Sequence, residues 1–423
     1  MDLRSALRCA CLLPALAGCG PGDAPAPAAS APAALGAPGE LPSPATPGSA
    51  EPNLAAGEDG RVYLSWVEPG PDSTHALRFA TLEGERWSAP RTVASGRDWF
   101  VNWADFPMLA VLPDGRLAAH WLQRSGKGRY AYDVRIARSS DGGATWTPGV
   151  VPHRDGTESE HGFVSLWAEG GDSVGAAWLD GRKYAAAGEG EGGDGEHGGG
   201  EMMVMSAVLG PDGAPGPEAS LDARACDCCQ TGVASTSRGP LLVYRDRSPD
   251  EIRDVYVTRR VDGRWTEPRP VHADGWKIPA CPVNGPQASA RGERVAVAWF
   301  TGARDTARVL VAFSSDAGAT FGAPVRVDDG APAGRVDVEL LDDGAALVSW
   351  IERTGGEAAE VRARRVAAGG ARGPAVTVTS TSGERASGFP RMARGRGGVV
   401  FAWTEPGKPS RVRTARLAPG GGR

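Results

Sequence analysis

Seven short apolar runs, each closing on an aromatic residue, recur along the chain: VYLSWVE, LAAHWLQ, VGAAWLD, LLVYRDR, VAVAWFT, ALVSWIE and VVFAWTE. Their aromatics are Trp66, Trp121, Trp178, Tyr244, Trp299, Trp350 and Trp403, separated by 55, 57, 66, 55, 51 and 53 residues. The runs have strand length, and 60 glycines and 34 prolines among 423 residues break the chain into strands and turns rather than helices. A period near 50 leaves room for about four strands per unit. Units of that kind bury their apolar faces only against one another, arranged around an axis as the blades of a β-propeller.

A third strand follows each aromatic run, from HALRFATL in the first unit to SRVRTARL in the last. The last unit stops at Leu417 with only a Gly-rich tail, so its outer strand must come from the N-terminal side; residues near 44 to 52 are the candidates. The expected fold is therefore all-β, a propeller of four-stranded antiparallel blades over residues 53–423. Seven blades are expected, with six as the alternative should one end repeat be incomplete. The Gly-rich acidic insert Ala187 to Glu201 accounts for the 66-residue spacing and reads as a solvated, mobile loop.

Two turns between third and fourth strands share the pattern S-x-D-x-G-x-T-aromatic: Ser139, Asp141, Gly143 and Trp146, then Ser314, Asp316, Gly318 and Phe321. The aspartate can accept from turn amides, the glycine permits positive φ, and the aromatic packs between sheets. Degenerate versions end at Trp87 and Trp265. With these motifs the chain resembles the sialidase (neuraminidase) superfamily and its Asp-box, or BNR, repeat, over residues 53 to 417. The resemblance implies that the boxes are structural and lie opposite the working face. It also implies a tyrosine nucleophile assisted by a glutamate, an aspartate acid/base and three arginines for a substrate carboxylate. The family's early Phe-Arg-Ile-Pro motif is missing: DFPM at Asp105 to Met108 lacks the arginine, and GFPR at Gly388 to Arg391 falls at the other end of the chain. Asp105 is the candidate acid/base, and Arg245, Arg335 and Arg385 are the candidate anion grip. Catalytic residues stay unassigned.

The N-terminus fixes the expected compartment. Arg4 and Arg8 precede an apolar run too short to span a bilayer, and Leu16-Ala17-Gly18-Cys19 resembles a bacterial lipobox. Residues 1–18 read as a lipoprotein signal peptide, Cys19 as the lipidated residue and 19–52 as an Ala/Pro-rich disordered tether. Gly20 favours an outer-membrane destination, facing the periplasm or the surface, with membrane attachment through the lipid alone. Removing Asp2, Arg4 and Arg8 takes the formal charge from −5 to −6, and an acidic protein without a basic patch is not expected to bind nucleic acid.

In such a propeller the working face is built by the loops leading into each inner strand and by those between second and third strands. Eighteen residues before Tyr244 stands Cys226, and eighteen before Trp299 stands Cys281; the same offset gives Trp103, Glu160 and Arg385. The expected ligand-binding residues at the channel mouth are Trp103, Asp105, Glu160, His161, Arg245, Asp246, Lys277, Asn284 and Arg385. Exposed aromatics beside acids, amides and arginines suit a carbohydrate or small anion. Export leaves Cys226, Cys228, Cys229 and Cys281, read as lacking C-x-x-C zinc spacing or a thioredoxin-type motif. In an oxidising compartment a Cys226–Cys281 disulfide is expected. Thiolate metal ligation with His161 nearby and redox chemistry are the alternatives; no cofactor is otherwise implied. Three functions are open: ligand binding, sialidase-type hydrolysis and thiolate metal binding.

Overall fold

The computed structural model describes residues 34–186 and 200–418. The signal segment, Cys19 and all of the Gly-rich insert but Gly200 and Glu201 lie outside the described residues. Seven antiparallel sheets succeed one another along the chain, so the seven-blade reading holds. Their innermost strands are Ala50–Ala56, Leu109–Val111, His161–Ala168, Gly232–Thr236, Gln287–Arg291, Pro332–Leu340 and Arg391–Gly395. In blade two the outer strand shrinks to a single bridge between Ile136 and Val150.

Ring closure uses a strand further upstream than expected. Gly39–Leu41 pairs antiparallel with Arg411–Leu417, Gly39 opposite Arg416 and Leu41 opposite Thr414. Ala50–Ala56 already belongs to blade one, so the folded unit begins near Gly39 and the expected tether boundary at 52 is corrected. Leu41 supplies the reason. It packs into the apolar cluster of Leu54, Leu64 and Trp66, which a residue of a disordered tether would leave open to water.

The repeating aromatics build the core. Trp66, Trp178, Trp299, Trp350 and Tyr244 are fully buried. Each such indole removes roughly 200 Å² from water, about 5 kcal/mol of transfer free energy at 25 cal/mol/Å². The indole N–H also needs an acceptor. Side chains two apart on a strand share a face, and the chain places a carboxylate there: Trp66 donates to Glu68 (3.3 Å), Trp178 to Asp180 (2.8 Å) and Trp350 to Glu352 (2.6 Å). Trp299 donates instead to Asp274 (2.7 Å).

The two patterned turns fold alike. Gly143 N–H donates to Ser139 Oγ (2.7 Å), while Thr145 N–H and Oγ1 donate to the Asp141 carboxylate (2.9 and 2.6 Å). Gly318, Ser314, Thr320 and Asp316 repeat this at 2.9, 2.8 and 2.6 Å. Gly143 and Gly318 have φ of 88° and 77°, and a Cβ on Gly143 would collide with the Phe79 ring of the preceding blade. Trp146 meets that same ring edge-on. In an antiparallel blade these turns lie at the opposite end from the loops between second and third strands.

Candidate ligand site and thiol cluster

The loop leading into blade two crosses the channel mouth and roofs it. Trp103 stacks on Phe389 of blade seven (5.7 Å, 18° between planes), with the Arg335 guanidinium 4.9 Å from its ring. The Ala104 carbonyl accepts from Gln230 Nε2 (2.6 Å), and the Pro107 carbonyl from Asn53 Nδ2 (3.4 Å). Asp105 Oδ1 accepts from Phe163 N–H (2.7 Å). One segment of the chain thereby touches five other blades. Sequence spacing placed Trp103 and Asp105 at the mouth but gave no sign that they close it.

Asp105 is buried, and its second oxygen lies 3.0 Å from the Tyr132 hydroxyl, which in turn lies 2.8 Å from Glu160 Oε1. Burial pushes the Asp105 carboxyl up to about 7 against the pull of the Phe163 N–H that donates to it. A phenol has one proton. The trio is satisfied when protonated Asp105 donates to the phenol oxygen and the phenol donates to Glu160. Tyr132 is fully buried and stacks on Phe100 at 3.9 Å.

Beneath the roof runs a channel of about 1010 Å³ with wall residues from all seven inner strands. Its upper wall carries Asn53, Gln287, Asp337 and Arg391. Arg391 donates to Gln287 Oε1 (3.2 Å) and faces Asp337 at 3.5 Å. Its Nε and Nη1, with Asn53 Oδ1, have no hydrogen-bond partner among the described residues. Lower down, burial raises the Glu339 carboxyl to about 8, helped by Asp337. Arg391 is not among the residues expected from sequence, where GFPR stands out only as a displaced family motif; the signal that points to it is its place at the start of an inner strand.

The other expected ligand residues separate. Arg245 is 1% exposed and fully engaged, Nε and Nη2 on the Asn284 carbonyl (3.1 and 2.8 Å), Nη1 on Arg253 and Nη2 on Phe300, over the Trp276 ring. Asn284 is buried too, accepting from Arg335 N–H (2.7 Å). Arg335 donates to the carbonyls of Gly383, Glu384 and Gly388, and burial lowers it to about 10. Arg245 and Arg335 are thus braces between blades, and the expected three-arginine grip does not form. Arg385 and Lys277 are exposed on the rim. Burial, with Asp222 adding, raises Asp246 to about 7.

His161 belongs to a separate cluster. It is fully buried and stacks on His153 (3.7 Å, 6°), with Asp155 at 3.2 Å and Asp133 and Asp180 each at 3.8 Å. Burial pulls the imidazole down, but the three carboxylates outweigh it and raise its pKa. Asp180 is gripped by Arg182, which also reaches Glu218.

The cysteines depart from the expected disulfide. No disulfide joins the four; Cys226 faces Cys229 with sulfurs 3.0 Å apart, and Cys228 interacts with Cys281. Cys226 and Cys229 are themselves a C-x-x-C pair, masked in the sequence reading by the intervening Cys228. A turn brings these two together locally, whereas Cys281 is exposed and meets the outer member. Burial alone would raise Cys226, but hydrogen bonds from Cys228 and Cys229 and the Arg253 guanidinium (Nη1 to Sγ 3.3 Å) hold it well below the ordinary thiol range. Burial and the neighbouring Cys226 raise Cys229.

Fold and channel together define a seven-bladed β-propeller with a roofed, polar channel. No family model and no curated relative matches the chain. Among solved structures it is similar to a protein of unknown function from Dyadobacter fermentans, at 14% identity over 91% of this chain and 98% of that one, TM-score 0.51. Others include polysaccharide lyase Uly1 (11% identity, 87% and 89% coverage, TM-score 0.47) and NanB sialidase from Streptococcus pneumoniae (9%, 85% and 83%, 0.45).

Proposed function

We propose that this is an exported, lipid-anchored binding protein of the sialidase-like type that holds a hydroxyl-rich or anionic small molecule, carbohydrate being the fitting class, in the channel below the Trp103–Phe106 roof. The observation that carries the reading is Arg391, buried in the channel wall with Nη1 unpartnered and Nε held only by the 3.5 Å ion pair with Asp337, beside the unpartnered Asn53 Oδ1. Buried donors and acceptors without partners cost about 1–3 kcal/mol each; a bound ligand with hydroxyls or a carboxylate satisfies them. Gln287, Ser165, Thr231 and Ser289 add neutral hydrogen-bonding groups to the same wall. A glycan array probed with residues 34–423, followed by calorimetry, tests this. Arg391→Gln should weaken binding at least tenfold with little change in melting temperature; an array without hits, or unchanged affinity in the variant, overturns it.

The second reading, hydrolysis of sialidase type, is favoured by the Asp105–Tyr132–Glu160 hydrogen bonds, which unite an acid, a phenol and a carboxylate. Against it stand the burial of Tyr132 and the engagement of Arg245 and Arg335 elsewhere. A fluorogenic sialoside should not be turned over. Turnover that vanishes in Asp105→Asn would establish the hydrolase instead.

A further inference from the structure

The thiol cluster has a geometry that neither the channel nor the fold requires. The sulfurs of Cys226, Cys228 and Cys229 all lie within 4.8 Å of one another, on one turn that follows the strand Ala219–Ala225. Cys226 and Cys229 are both 1% exposed, and Cys228 packs against the apolar cluster that includes Ala104, Ala225, Tyr244 and Phe389. The backbone holds the turn in place: Cys226 N–H donates to the Arg245 carbonyl (2.9 Å), and the Gln230 side chain ties the next residue to Ala104 and Gly285.

We infer that Cys226, Cys228 and Cys229 form a three-coordinate all-thiolate site for a soft monovalent cation, Cu(I). Three observations select that chemistry. The donor set is sulfur only, because the one carboxylate inside the turn, Asp227, is directed away onto Tyr184, Arg247 and Arg253. Thiolates without oxygen or imidazole partners favour soft cations such as Cu(I). Three thiolates and Cu(I) sum to −2, and Arg253, 3.3 Å from Cys226 Sγ, lies against that negative charge. Zn(II) takes four protein ligands in a closed structural site, and among the described residues only Cys226, Cys228 and Cys229 bring their sulfurs within 4.8 Å of one another; Cys281 meets Cys228 from the exposed side. The His153–His161 cluster is a separate centre with its own carboxylates, so it supplies no ligand here.

Binding exchanges thiol protons for the metal and needs no oxidant. The test titrates Cu(I) anaerobically into reduced, chelator-treated full-length protein against bathocuproine disulfonate. The expected result is capture of a single Cu(I) per chain and an X-ray absorption spectrum with sulfur as the only neighbour. Cys226→Ser and Cys229→Ser should each lose roughly 100-fold or more in affinity, whereas Cys281→Ser keeps wild-type affinity. The absorption measurement on wild-type protein stands even if a serine variant fails to fold. Copper left on the competitor, nitrogen or oxygen neighbours in the spectrum, or Zn(II) held in preference and lost with Cys281→Ser would each overturn the assignment. Glycan binding by Arg391→Gln reports on the channel separately, so failure of one reading leaves the other open to its own test.

Discussion

Replacing Arg245 by methionine separates a brace from a ligand contact. Methionine keeps much of the volume and loses all four hydrogen bonds to the carbonyls of Asn284, Arg253 and Phe300. Each orphaned buried carbonyl costs about 1–3 kcal/mol, and relief from burying the guanidinium offsets part of the sum. Loss of the contact with the Trp276 ring adds about 1 kcal/mol. A net loss of about 3–5 kcal/mol is expected. With roughly 370 described residues and an unfolding entropy near 2.1 cal/mol/K per residue, ΔS is about 0.8 kcal/mol/K, so the melting temperature should fall by about 4–6 °C. Differential scanning calorimetry with calorimetric and van't Hoff enthalpies compared checks both the shift and cooperativity. A shift under about 1 °C, together with loss of ligand binding, would refute the bracing argument and restore Arg245 to the binding residues.

Three further outcomes follow from the same physics. Cys19→Ser should abolish lipid labelling and release the protein to a soluble fraction; retention on membranes with no lipid on the wild type would end the lipobox reading. Deleting residues 34–47 removes the strand that closes the last blade and the buried Leu41, so stability should fall by about 2–4 kcal/mol and the bared edge of Arg411–Leu417 should promote association, read by calorimetry and light scattering. His161 is raised above its ordinary 6.5, so the stability it lends is complete below that value and is lost as pH climbs through the higher folded pKa. Melting temperature should decline as pH rises from 6.5 through the raised folded pKa, and His161→Phe should flatten the decline; an unchanged profile would show that the three carboxylates do not hold the proton.

Much of the architecture was legible in the chain because a propeller is local. Each blade is a run of neighbouring strands, so the 50-residue period, the third strands and the two glycine turns follow from spacing alone. The indole acceptors Glu68, Asp180 and Glu352 are equally local, two residues beyond their tryptophans on the same face. What crosses the axis was not legible. The offset that put Trp103, Glu160, Cys226 and Cys281 at one height says nothing of which loop is long enough to roof the others, and that loop decides that Asp105 is buried against Tyr132 rather than open to substrate. An arginine in sequence is an anion site or a brace depending on which carbonyls surround it. Only the packed ring sets Arg245 and Arg335 on backbone while leaving Arg391 with an unpartnered Nη1 in the channel wall. The cysteines divide in the same way. Sequence supplied four thiols and the reason to ask about them, but the turn at 226–229 closes on itself over a few residues, whereas Cys281 must arrive from the next blade, where it meets Cys228.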